Sequence, residues 1–218
     1  MWQSLAEETK DDDFVVLTVA LDQPDAARPW IEAAAPTYPC LIDRDHRTAE
    51  LYHFTNVPQA TWIDEAGRIV RPPENAGQTD AFRRMDRSTS TFPPDALAER
   101  ARVKNLYLSA LKDWARRGAQ SPHALDAAAV RARLQVPDAG AAEAHAVFRL
   151  GQVLLRDGRV HEATACFGEA SRLHPESWAI WRQHAEKDAR GLATSAAFWE
   201  RVDALGDRPY HRPLAIGG

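Results

Sequence analysis

Cysteine is scarce in this sequence. Its 218 residues include two, Cys40 and Cys166, far apart along the chain. That excludes a secreted scaffold built on disulfides, and it excludes a Cys-x-x-Cys pair within these residues. Long hydrophobic runs are missing as well. The longest, "FVVLTVAL" at residues 14–21, is too short to cross a bilayer as a helix, so no membrane segment is expected. There is no excess of positive charge: 27 Lys and Arg stand against 31 Asp and Glu, a net charge of −4. Neither end of the chain is strongly basic, so no nucleic-acid partner is expected. The first residues, "MWQSLAEETKDDD", lack the basic start and apolar centre of a signal peptide, and as written the chain reads as cytoplasmic. The histidines form no His-Glu-x-x-His pair and the glycines no phosphate loop. No metal and no cofactor is expected.

What is present is an alternation of short apolar runs and amphipathic stretches. Residues 2–10 can form a short helix with Trp2, Leu5 and Ala6 on one face. Residues 14–21 are β-branched and continuously apolar, as in a strand buried on both faces. "DQPDAARPWIEAAA" reads as a helix capped by Asp25. "YPCLID", residues 38–43, is a second strand, and "DHRTAELYHF" a second helix of this part. Then comes "NVPQATWIDEAGRIVRP", residues 56–72, a strand, a turn at Asp64–Gly67 and a returning strand, entered through Val57-Pro58. This order predicts an α/β sheet with an antiparallel hairpin added at its end. After residue 72, "RPPENAG" and "RSTSTFPPD" read as connectors. Strand signals then stop. Residues 95–117 have a helical pattern, "LDAAAVRARLQ" is a short helix, and everything from Ala141 onward looks helical.

The segment "AHAVFRLGQVLLRDGRVHEATACFGEASRLHPES" closely matches the tetratricopeptide (TPR) pattern. Leu150-Gly151 form the large-small pair of a first helix, with Leu154 where an aromatic is usual. Gly158 marks the turn, Ala163, Phe167 and Ala170 lie along a second helix, and Pro175 ends the unit. Gly151 and Ala163 are small because the helices cross closely there, while Leu150 and Phe167 are expected to fill the space beside the crossing. A shift of about 34 residues, one repeat length, places Trp181, Ala185, Ala197, Ala204 and Pro209 at fitting positions. It also places His184, Asp188 and Arg201 where they do not fit. The chain therefore reads as one good repeat and one degenerate, capping-like repeat. Because such units do not bury their faces alone, the helices of residues 95–135 are expected to supply the other side of the stack.

Residues 1–78 resemble the later part of a thioredoxin-like domain of the TlpA/ResA type, the thiol-disulfide reductases. The residues that carry the resemblance are "FVVLTVALD", "YPCLID", "TAELYHF" and "VPQATWIDEAGRIV", in that order, with Ala76-Gly77 where the family has a glycine before its last helix. The resemblance implies a cis peptide bond at Val57-Pro58, and a substrate peptide pairing with the backbone beside Pro58 by strand addition. In the family a first core strand and a Cys-x-x-Cys precede the helix that here begins near Trp2. Two explanations follow. The full protein carries the strand and cysteines upstream, which is the favoured expectation, or this is a short form that fills the open sheet edge by dimerisation or rearrangement.

Candidate sites are few. Cys40, between Pro39 and Leu41, is either a lone peroxidatic or resolving thiol or, as favoured, a small buried hydrophobe. Cys166, beside Phe167, reads as packing. Val57 and Pro58 either hold a substrate peptide or merely shape the loop. Asp43, Asp45 and His46 have some metal or acid–base flavour, but a helix cap explains them better. Trp178, Trp181 and Trp199 either line a peptide groove or, as favoured, belong to the core of stacked helices.

The expected architecture is an α/β thioredoxin-like domain, incomplete at its N-terminus, over residues 1–78, a linker and helical segment over 79–140, and an all-α TPR-like domain over 141–218. The expected function is that of the thiol-disulfide oxidoreductase family, catalytically incomplete in this chain because the Cys-x-x-Cys is absent. The alternatives are a non-catalytic protein-interaction module working through the TPR-like helices and, ranked last, a single-cysteine peroxidase using Cys40. A protein or peptide partner is expected, and a homo-oligomer through the exposed sheet edge is one form that partner takes.

Overall fold

The computed structural model describes residues 1–216. In chain order it contains α1 (Trp2–Glu8), β1 (Thr18–Ala20), α2 (Pro24–Ala34), β2 (Cys40–Ile42), α3 (Arg47–Leu51), β3 (Gln59–Ile63), β4 (Ile69–Asn75), α4 (Pro94–Arg117), α5 (Ala127–Arg133), α6 (Ala139–Arg156), α7 (Val160–Leu173), α8 (Trp178–His184) and α9 (Ala196–Asp203). None of these helices is long and apolar enough to cross a membrane. Two compact units interleave along the chain. One comprises residues 1–16, 58–134 and 201–216, the other residues 17–57 and 135–200. The boundaries drawn at residues 78 and 140 from the sequence are not where these units divide. The reason is visible in the bonding: residues 44–56 bond to α6 and α8, whereas the hairpin that follows them bonds to α4 and to the C-terminal segment.

In the first unit, β3 and β4 form the expected antiparallel hairpin, but as a two-stranded sheet of its own and not as an addition to the sheet of β1 and β2. Asp64 organises its turn, because one carboxylate oxygen accepts the amides of Ala66 and Arg68. Gly67 follows at φ +75°, in the left-handed region that glycine enters without steric cost. The returning strand is longer than the sequence predicts, since "PPEN" belongs to β4 rather than to a connector and pairs as Ala60 with Glu74 and Gln59 with Asn75. Proline is tolerated there because in a two-stranded sheet every strand is an edge. Trp62 is buried against α4. Its Nε1–H donates to Tyr107 Oη at 3.0 Å, and its ring stacks on Trp114 at 5.0 Å. Arg71, 2% exposed, is held by both Glu74 oxygens at 2.6 and 3.0 Å and by the carbonyls of His123 and Ala215. Such complete pairing is what makes a buried guanidinium tolerable. Helix α4 starts at Pro94, where a missing N–H costs nothing, and stops at Gly118.

In the second unit, β1 and β2 pair in parallel, Thr18 opposite Cys40 and Ala20 opposite Ile42, with α2 as the crossover. The expectation of a strand buried on both faces is not met. Only Thr18–Ala20 is a strand, it is half-buried, and Val15 and Leu17 before it are exposed. A sheet of two short strands has too little area to cover both faces of a member. Gln23, not Asp25, is the N-cap of α2, with Pro24 as first helical residue and Asp25 in the first turn. The Asp43 carboxylate caps α3 by accepting the amides of Arg47 at 2.9 Å and Thr48 at 2.6 Å.

Helices α6 and α7 pack against each other. A Cβ placed on Gly151 would lie 2.7 Å from the Phe167 ring, so only glycine allows this approach. Ala144, Phe148, Leu154, Ala163, Phe167, Ala170 and Ile180 form its core. Leu150 departs from expectation. It is 52% exposed and does not fill the crossing, because Phe148 and Phe167 already do.

Candidate functional site

The residues singled out in the sequence do not converge on one centre. Cys40 begins β2 and is half-buried, with the Thr18 hydroxyl donating to its sulfur at 3.0 Å. Beside it lies a cavity of about 360 Å³, with Arg28, Glu32 and Leu41 among its walls. Cys166 is half-buried on α7 and packs against the α6–α7 core. Both thiols are free. Val57 is exposed, and its amide donates to the Asn56 side chain at 2.8 Å. The Pro58 carbonyl accepts the amide of Ala76 at 3.2 Å. These two backbone groups beside the proline are therefore engaged inside the chain.

Asp43 serves as a cap, and Asp45 pairs with Arg156 at 2.5 Å. His46 is buried, its ring 4.9 Å from that of Phe148. Burial pulls its pKa down to about 4, an effect that Asp43, Asp22 and Asp45 only partly counter. Trp178 and Trp181 are 5% and 8% exposed and pack on each other and on Phe198. They are core residues and offer no surface groove.

Two features remain, both within the second unit. The first is a face of α6. Phe148 and Ala144 point to the core shared with α7, while Gln152 reaches the Arg44 carbonyl and Arg149 and Arg156 pair with Glu50 and Asp45. That leaves Ala142, Ala146, Leu150 and Val153, an exposed apolar stripe at helical spacing. Leu150 and Val153 are 52% and 43% exposed.

The second is a cavity of about 310 Å³ whose walls include His53, His145 and His174, together with Thr55, Asp138 and Glu176. His53 follows α3 in the left-handed conformation, His145 lies on α6, and His174 ends α7. The rings of His145 and His174 are 6.2 Å apart. Burial lowers the pKa of both. For His145 this is opposed by Glu50 and reinforced by His174, Arg149 and His53; for His174 it is opposed by Glu176 and Asp138. Asp138 also caps α6, accepting the Ala141 amide at 2.8 Å. Among the described residues, no group of His, Cys, Asp and Glu is arranged to hold a metal ion. Nothing in the sequence signals this cavity, because its histidines come from three separate segments with no motif spacing.

No protein-family model, curated protein or solved structure matches this chain.

Proposed function

We propose that this chain is a protein-binding module, that the open face of α6 is its working surface, and that the α/β part is thioredoxin-like but without its own dithiol. The observation that carries the binding role is the stripe Ala142, Ala146, Leu150 and Val153, left exposed beside the face of α6 that packs on α7 and the one whose Arg149 and Arg156 are ion-paired. Small residues followed by larger apolar ones, spaced at four, four and three, form the kind of ridge against which a second helix seats. The occupant is the apolar face of an amphipathic helix on a protein partner. The parallel pair β1 and β2 joined by α2 is what supports the thioredoxin-like reading of the remainder.

Selection from a displayed library of helical peptides tests the binding role. Enriched sequences with one apolar face, whose binding is lost in the Leu150→Asp, Val153→Asp double variant, support it. Enrichment without helical periodicity, or binding unchanged in the double variant, contradicts it.

A further inference from the structure

The parallel sheet of the second unit is open along β2. The Thr18 amide donates to the Pro39 carbonyl and the Asp43 amide to the Ala20 carbonyl, so residues 39, 41 and 43 turn their backbone groups toward β1. Backbone groups alternate sides along a strand, which turns the amides and carbonyls of Cys40 and Ile42 the other way. Among the described residues no further strand pairs with that side, and Leu41 between them is 49% exposed.

Helix α2 flanks the open edge. The cavity of about 360 Å³ between them is walled by Arg28, Ile31 and Glu32 of α2 and by Cys40, Leu41 and Ile42 of β2. Arg28 and Glu32 meet only at 4.0 Å, and their side chains are 64% and 69% exposed. A pair so long and so exposed contributes little within one copy. Both charges are therefore available across an interface.

We propose that a second copy of this chain covers this edge, β2 pairing antiparallel with β2 of the other copy about a two-fold axis at Leu41. Three observations fit a copy of the same surface. The axis sets Cys40 opposite Ile42 of the second copy, and these are the residues whose amides and carbonyls face outward, so each such pair exchanges both hydrogen bonds. A crossover helix lies over the two strands it joins, so the two copies of α2 run antiparallel on one face at two strand spacings, about 10 Å, the distance at which helices pack. The helical walls of the cavity, residues 28–32, stand beside strand residues 40–42. An axis at Leu41 therefore passes α2 at the level of residue 30 and sets Arg28 of each copy opposite Glu32 of the other. The charges are self-complementary, and the contact closes at a dimer because both copies use the same patch. Nothing in this pairing involves the stripe on α6.

Sedimentation velocity of the full chain in reducing buffer, over a range of concentrations, tests this. A concentration-dependent dimer is expected. Arg28→Glu and Glu32→Arg, both at exposed side chains, are each expected to weaken it at least tenfold, because each sets like charges across the axis. An equimolar mixture of the two variants is expected to dimerise again, since every contact across the axis then joins opposite charges. Leu41→Cys, in a chain carrying Cys40→Ala and Cys166→Ala, is expected to form an intermolecular disulfide on mild oxidation. Directly opposed residues of a non-hydrogen-bonded pair have Cα atoms about 4.5 Å apart, within disulfide reach. A chain that stays monomeric at its highest soluble concentration, a dimer that neither charge variant weakens, a mixture of the variants that stays monomeric, or a folded Leu41→Cys chain that does not crosslink would each overturn the proposal.

Discussion

Gly151 and Phe167 meet so closely that a single methyl group on Gly151 would sit 2.7 Å from one ring carbon and 2.9 Å from the next. Alanine would gain about 1 kcal/mol of helix propensity over glycine, but the ring is buried and Cys166 Cβ closes the other side at 3.1 Å. Gly151→Ala is therefore expected to destabilise the protein by about 1–2 kcal/mol, since overpacking outweighs propensity. Urea unfolding followed by circular dichroism reads this, and a variant more stable than the parent would show that the helices have room to separate.

Trp62 and Tyr107 make the corresponding link in the first unit. Tyr107→Phe keeps the ring contacts but leaves the buried Trp62 N–H without its acceptor. The expected cost is about 1–3 kcal/mol, with a changed tryptophan emission. Unchanged stability would mean that water reaches the indole nitrogen.

His46 makes stability depend on pH. Its pKa of about 4 lies below its ordinary value of 6.5, because the folded chain buries it as the neutral ring. The stabilisation is complete above pH 6.5 and is lost as pH falls toward 4, where the unfolded chain takes up a proton that the folded one refuses. The difference corresponds to about 3 kcal/mol, and the lowered values of His145 and His174 act in the same direction. His46→Asn, which tolerates the positive φ of 54° at this position, is expected to flatten the stability–pH curve between pH 6.5 and 4. An unchanged slope would place the effect elsewhere.

Cys40 sits with the Thr18 hydroxyl on its sulfur, and neither cysteine is in a disulfide. Dithiol exchange needs a second thiol to resolve the mixed disulfide. The chain is expected to leave insulin disulfides intact in the presence of a weak reductant, and Cys40→Ser to behave identically. Reduction that disappears in Cys40→Ser would contradict the non-catalytic reading.

Periodicity made the helical pair legible. The small positions 151 and 163, the large Phe167 and the turn at Gly158 all follow from how two helices cross, and that rule acts locally. The turn at Asp64–Gly67 was legible for the same reason. Burial across the chain was not. Residues 14–21 read as a buried strand because apolar runs carry no record of how many strands will cover them, and Val15 and Leu17 end exposed. Leu150 looked like core for a related reason: a repeat pattern describes a stack, and the face it assigns to Leu150 is open here. The histidine cavity was illegible because tertiary folding alone brings residues 53, 145 and 174 together.

The most direct measurement on the binding role is photo-crosslinking in cells from benzoylphenylalanine placed at Leu150, at Val153 and, as a control, at the exposed Thr164 on α7. The stripe on α6 predicts one discrete crosslinked protein from positions 150 and 153, attached through a segment with an apolar helical face, and none from 164. Equal crosslinking from all three positions, or crosslinks only between copies of this chain, would contradict it.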